Sequence, residues 1–208
     1  MSKIGDDVPP VVLEVRSRLS VLLGEIGYSL IDASQITTGK DFLRKIWELI
    51  VSVPMGIAFI YAEMPPNTLA NVFYELGMMQ ALGKDTLVIR EPKAPFPSDL
   101  VRTEYVLYDE RFEDRVRGFL QTCLSSAEFL ATVAEQVERN PLLAIDCYRR
   151  AFLLTGDEEY CRKTDELLRS GELGKRAKNS VEYLAAGFTR FAAQSQRHKA
   201  ISQAAVTR

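Results

Sequence analysis

Glu75 is the side chain of this sequence best placed to act as a nucleophile. It sits in Asn71-Val72-Phe73-Tyr74-Glu75-Leu76-Gly77, after the apolar run Gly56-Ile57-Ala58-Phe59-Ile60-Tyr61-Ala62 and the turn-rich Glu63-Met64-Pro65-Pro66-Asn67-Thr68. Continuous β-branched and aromatic content, bounded by glycine and by Pro-Pro, predicts a strand buried on both faces, followed by a helix capped by Thr68 or Asn71. With Asn71 as the cap, Glu75 falls in or next to the first turn, where exposed amides favour an ionised carboxylate. Ligands of open α/β sheets gather outside the carboxyl ends of the strands, so a carboxylate there faces a substrate. A glutamate that only complements the helix dipole fits the same position.

Other routes to chemistry are closed by what the sequence lacks. The single histidine, His198, lies in the polar C-terminal stretch, so activation of a nucleophile by imidazole is not expected. Cys123, Cys147 and Cys161 are widely spaced with no C-x-x-C pair, which encodes neither a zinc site nor a redox motif. The Gly77…Gly83-Lys84-Asp85 stretch has five residues between its glycines and Asp after Lys, and it leads from a helix into a strand, the wrong order for a phosphate loop. Neither G-x-G-x-x-G nor G-x-S-x-G occurs. Acid–base work therefore falls to carboxylates, and the chain is expected to need no cofactor and no metal.

Around Glu75 the elements alternate. The apolar positions Val12, Val15, Leu19, Leu22, Leu23 and Ile26 predict a helix with Pro10 in its first turn and Gly27 closing it. Tyr28 to Ile31 reads as a short strand. Thr38 or Asp41 caps a helix that buries Phe42, Ile46, Leu49 and Ile50, with Trp47 beside them. The Gly56 strand, the Glu75 helix, the Thr86–Ile89 strand and a fourth strand at Tyr105–Tyr108 follow. Such alternation with short connections predicts an α/β fold, a mostly parallel sheet of the flavodoxin-like or Rossmann-like kind flanked by helices. In the Thr37-Thr38-Gly39 loop, the hydroxyl of Thr38 and the amide of Gly39 are candidate phosphate contacts, though a plain helix cap explains them equally.

Asn-Val-Phe-Tyr-Glu-Leu-Gly at 71–77, Ala-Leu-Gly-Lys at 81–84 and the strand Thr86-Leu87-Val88-Ile89 resemble the signature of the nucleoside 2-deoxyribosyltransferase-like superfamily. That superfamily includes the nucleotide N-glycosidases and shades into the TIR-like nucleotide-binding domains. The looser similarity runs from about Leu13 to about Leu120. The resemblance implies that Glu75 attacks the anomeric carbon of a ribosyl or deoxyribosyl group, and that an acid at the end of the preceding strand holds sugar hydroxyls. Glu63 is the nearest match to that acid, in Ala-Glu where the family has Ala-Asp. Asn71 and Tyr74 are candidate substrate contacts, Asn71 first as a cap and Tyr74 otherwise as core. The family also opens on a central strand whose following loop holds sugar or phosphate. This sequence begins with the helix expected after it, so that strand lies upstream of Met1 or is missing. An N-glycosidic bond suits a lone carboxylate, since its oxocarbenium-like transition state is stabilised or trapped by one, and nicotinamide leaves with little proton help.

With 208 residues, 47% hydrophobic and 26% charged, the chain can form one well-buried domain plus an appendage. A net charge of -2 offers no global attraction to nucleic acid or an anionic membrane, and no apolar run reaches the roughly 18 residues of a bilayer span. The unpaired cysteines and the lack of a signal peptide point to the cytoplasm. The expected organisation is an α/β domain over residues 1–124 and a helical extension over 125–208. Within the extension, Ala144 to Leu154 resembles the second helix of a tetratricopeptide repeat, a single unit read as part of a helical hairpin. Val181, Leu184, Ala185, Phe188 and Phe191 mark one face of a last helix, and Gly171 to Arg208 carries seven basic against two acidic residues. That helix either packs on its own domain or makes an oligomer contact. The expected partners are a nucleotide or NAD substrate, a second copy of the chain in a homo-oligomer, and a protein partner bound through the C-terminal helices. The leading reading is an N-glycosidase or ribosyl transferase. Its alternatives are a non-catalytic nucleotide sensor that signals through the helical half, and a structural adaptor built on the helices.

Overall fold

The computed structural model describes residues 8–31, 42–94 and 105–169, with backbone alone at 42–45 and 48. It divides into two compact units, Met1–Gln121 and Thr122–Arg208. In the first, helix α1 (Pro10–Glu25) starts with Pro10 at its first position and buries Val12, Val15, Leu19, Leu22 and Leu23. Proline fits there because its missing N–H would be unpaired in any case. Gly27 ends the helix with φ of 78°, a left-handed turn that glycine adopts without strain.

The expected strand at 28–31 does not form. The Tyr28 N–H turns back to the Leu23 carbonyl at 2.9 Å, and Tyr28 and Leu30 pack half-buried against the core. Alternate side chains thus reach the core without a strand ladder, which is how an apolar tetrapeptide mimics a strand in sequence.

Among the described residues, three strands form one parallel sheet in sequence order: β1 (Met55–Ile60), β2 (Asp85–Arg90) and β3 (Tyr105–Leu107). Met55 stands opposite Asp85 and Ile60 opposite Arg90, while Val88 pairs with Tyr105 and Arg90 with Leu107. The unit is therefore α/β. Ala58, Phe59 and Ile60 are each at most 4% exposed, and Leu87, Val88 and Ile89 at most 1%. Three consecutive buried residues point to alternate faces, so both faces of the sheet are covered, as continuous apolar strands require.

One face carries helix α3 (Pro66–Ala81), which packs on β1 and β2. Its Gln80 amide donates to the Thr86 hydroxyl of β2 at 3.0 Å. On the other face, the Phe59 ring meets Tyr108 edge-on at 5.9 Å, and Tyr108 meets Phe112 at 5.1 Å. Phe112 opens helix α4 (Phe112–Gln136), whose Val116 and Leu120 share the core with α1. Helix α2 (Phe42–Ser52) sets Ile46 and Ile50 against Met79 of α3. Lys84 is 7% exposed and its ammonium donates to the Val51 carbonyl at 3.0 Å and to the Val53 carbonyl. A buried cation thereby satisfies carbonyls left open at the C-terminal end of α2.

In the second unit, α4 runs on through its buried Cys123, Ala127, Leu130 and Ala134. Helix α5 (Pro141–Thr155) is capped by the Asn140 side chain and closed by Gly156 at φ of 71°. Helix α6 (Glu158–Arg169) follows, and the Asp157 carboxylate accepts the Glu159 N–H at 2.9 Å. The described part of this unit holds helices joined by short turns, with no strand among the described residues. No described helix is long and apolar enough to cross a membrane.

Candidate active site

The site is built around α3, and its start differs from the expected one. Pro66 is the first helical residue and Pro65 the cap, with no side-chain capping bond. Neither Thr68 nor Asn71 is the cap. Pro-Pro, read in sequence as a loop, is here the helix start, because the second proline meets the fixed φ of a first helical residue. Glu75 therefore lies beyond the first turn, nine residues after Pro66, or about 13 Å along the axis. The helix amides do not hold it ionised. Instead, burial lifts its pKa above the ordinary glutamate value of 4.5, since a desolvated carboxylate favours its neutral form.

Helical spacing groups Asn71, Tyr74, Glu75 and Met78 on one flank of α3, beside the buried stripe Val72, Leu76 and Met79. Gln80, which reaches β2, lies about 140° round the helix from Glu75. The Glu75 flank thus faces away from β2. Glu75 is half-buried, Asn71 is exposed, and Tyr74 is 59% exposed. Tyr74 is therefore not core. Among the described residues, Glu75 makes no hydrogen bond or ion pair.

At the carboxyl end of the sheet a different set collects. Glu63 is exposed in the turn after β1, where the Met64 N–H donates to the Tyr61 carbonyl at 3.2 Å and Met64 is buried. Glu91, the residue after β2, was not singled out by its sequence context. Its carboxylate accepts the Ala62 N–H at 2.7 Å, while its own N–H donates to the Ile60 carbonyl at 2.9 Å. The signal available was its position, the first residue past the end of β2. Beyond β3, the Tyr108 hydroxyl donates to Glu14 and accepts from Arg18 at 3.1 Å, and Arg18 pairs with Glu113 at 2.9 Å. The Arg18 guanidinium lies 5.3 Å from the Tyr108 ring centre and 5.1 Å from that of Phe112. These bonds to Tyr108 and Glu113 raise the Arg18 pKa, and burial raises that of Tyr108.

The structure thus brings Asn71, Tyr74 and Glu75 together and sets Glu63 apart from them. Nine residues of helix carry Glu75 about 13 Å from the start of α3, whereas Glu63 lies in the turn before it. Thr38 and Gly39 lie outside the described residues. Among the described residues, no group of histidine, cysteine, aspartate and glutamate forms a metal-binding cluster. No protein-family model, no curated protein and no solved structure matches the chain.

Proposed function

We propose that the α/β unit cleaves, or transfers across, the N-glycosidic bond of a nucleotide-type substrate such as NAD or a nucleoside monophosphate, with Glu75 as the nucleophile. The observation that carries this reading is a half-buried carboxylate, desolvated enough to raise its pKa and joined to no described cation, on a flank with Asn71 and the exposed Tyr74 ring. Burying a carboxylate is costly, and carboxylates shifted by desolvation concentrate where chemistry uses them. The resemblance in Asn71–Gly77 and Ala81–Lys84 supports the same role. The parallel sheet is read as belonging to the Rossmann-like or flavodoxin-like group.

In the reaction, a Glu75 carboxylate oxygen forms a bond to the anomeric carbon as the C–N bond breaks, its electron pair leaving on the base nitrogen. Water or a second base then attacks the same carbon, the glycosyl–Glu75 bond breaks, and the carboxylate is regenerated. The attacking water's proton passes to solvent. In this reading Asn71, one turn before Glu75, holds a sugar hydroxyl, and the exposed Tyr74 ring stacks on a base.

The separation of Glu63 from Glu75 favours a second reading, a non-catalytic nucleotide sensor, because departure of a nucleobase calls for an acid beside the nucleophile. Chromatography of NAD and nucleoside monophosphates incubated with the purified chain, run beside calorimetric binding, tests both. Free base released in proportion to enzyme supports the catalytic reading. Binding without release supports the sensor, and neither binding nor release excludes both.

A further inference from the structure

Trp47, the only tryptophan of the chain, lies 45% exposed on α2. Helices α2 and α3 each feed a strand of the parallel sheet, β1 and β2, through a short link. Lys84, just past α3, donates to the Val51 and Val53 carbonyls at the end of α2, so the two C-terminal ends lie together. Ile46 and Ile50 of α2 pack with Met79 of α3, and Met78 lies against the same cluster. The helices therefore run side by side in the same direction.

At about 100° per residue, the order round α3 from the buried stripe to solvent is Leu76, Met79, Glu75, Met78, Tyr74, against the winding of the helix. Glu75 falls between the two methionines, about 40° from Met79 and 60° from Met78, and so points toward α2. On α2 the order outward from the α3 contact is Ile46, Ile50, Trp47, with the winding. Leu49, about 60° from Ile46 the other way, is half-buried. For two right-handed helices running parallel side by side, opposite senses of turn lead to the same side. Trp47 and Tyr74 thus stand together on the solvent side of the α2–α3 contact, with Glu75 beneath and between them. Axes in such contact lie roughly 8–10 Å apart, and a planar ring seated between two others needs about 7 Å, two contacts of ~3.5 Å.

We infer that Trp47 binds the substrate, its indole stacking on the base of a nucleotide whose anomeric carbon lies against Glu75, with the Tyr74 ring on the other side. A lone exposed ring is ordinary surface. Two rings flanking one half-buried carboxylate match the aromatic platforms on which single bases stack. The inference rests on the nucleotide reading above and narrows it, since the leaving group is then a planar aromatic heterocycle.

Because Trp47 is the only tryptophan, its emission reports this contact alone. The full chain is titrated with NAD, with adenosine monophosphate and with ribose 5-phosphate, emission is read directly after mixing, and calorimetry follows the same titrations. Emission is expected to fall with the two base-containing ligands and to hold with ribose 5-phosphate. Trp47→Ala is expected to weaken their binding about tenfold or more, and Trp47→Phe, which keeps a ring, to restore most of it. Calorimetric binding with Trp47 emission unchanged, or an equal fall with ribose 5-phosphate, overturns the inference and leaves the glycosidase reading standing. A fall in emission with no release of free base supports the inference and removes catalysis. Binding of neither nucleotide overturns both.

Discussion

Asn71 and Glu75 lie one helical turn apart on the flank of α3 that faces away from β2, the first exposed and the second half-buried. An i, i+4 pair of this kind lets an amide and a carboxylate address neighbouring atoms of one ligand. Under the proposed role, the state of Glu75 bears on function and on stability together.

Glu75 should weaken the fold at neutral pH. Its folded-state pKa is raised by burial, so its contribution to stability is fully present below the ordinary value of 4.5 and is lost as pH rises through the folded value. Glu75→Gln removes the buried charge. Thermal melts are expected to show the variant more stable than the parent at pH 7 and equal to it near pH 4. A variant less stable at both pH values would show that Glu75 is held by partners rather than desolvated. If Glu75 is the nucleophile proposed, activity of the parent should rise with pH, with an inflection above the ordinary value of 4.5, as its carboxyl ionises.

Tyr74 is expected to act on the ligand and not on the fold. At 59% exposure its removal leaves stability within about 0.5 kcal/mol. Stacking of a base on an aromatic ring is worth ~1–3 kcal/mol, so Tyr74→Ala should raise KM about tenfold or more. Steady-state kinetics with kcat and KM resolved make the check.

Glu91 closes the carboxyl end of the β1–β2 pair. Glu91→Ala leaves the Ala62 N–H without its acceptor, at a cost of about 1 kcal/mol, whereas Glu91→Gln keeps an acceptor oxygen. Urea titration should rank the parent and the Gln variant together and the Ala variant below. Hydrogen exchange at the Ala62 amide should quicken in the Ala variant alone.

Lys84 ties the end of α2 to the turn before β2. Lys84→Met takes the ammonium away from the half-buried Val51 and Val53 carbonyls. The expected loss is ~1–3 kcal/mol, read as a lowered urea midpoint with unchanged slope.

What the sequence made legible was whatever local pattern decides. The apolar runs Gly56–Ala62 and Thr86–Ile89 mark the strands Met55–Ile60 and Asp85–Arg90, the first ending two residues before its run and the second taking in a charged residue at each end, and Pro10 and Gly27 bracket α1. Where two patterns share a sequence, the reading went astray. Pro65-Pro66 serves a loop and a helix start alike, and the choice moved Glu75 from the first turn to a position well inside the helix. Tyr28 to Ile31 alternates as a strand does, yet only packs. Long-range partners were hidden for a simple reason. Lys84 meets a carbonyl 33 residues away, and Glu91 an amide 29 residues away, and no local periodicity records such a meeting. Glu63 and Glu75 lie 12 residues apart in sequence, and only the helix between Pro66 and Glu75 reveals how far it carries them from each other.

The most direct measurement is the initial rate of free-base release from the substrate by the parent chain, Glu75→Gln and Glu75→Ala, each shown folded by circular dichroism. Loss of a nucleophile removes at least about a thousandfold in kcat, and both variants are predicted to lose that much while the Gln variant melts no lower than the parent. Equal rates in all three proteins would contradict the account, because the bond would then be broken without the one carboxylate on which it rests.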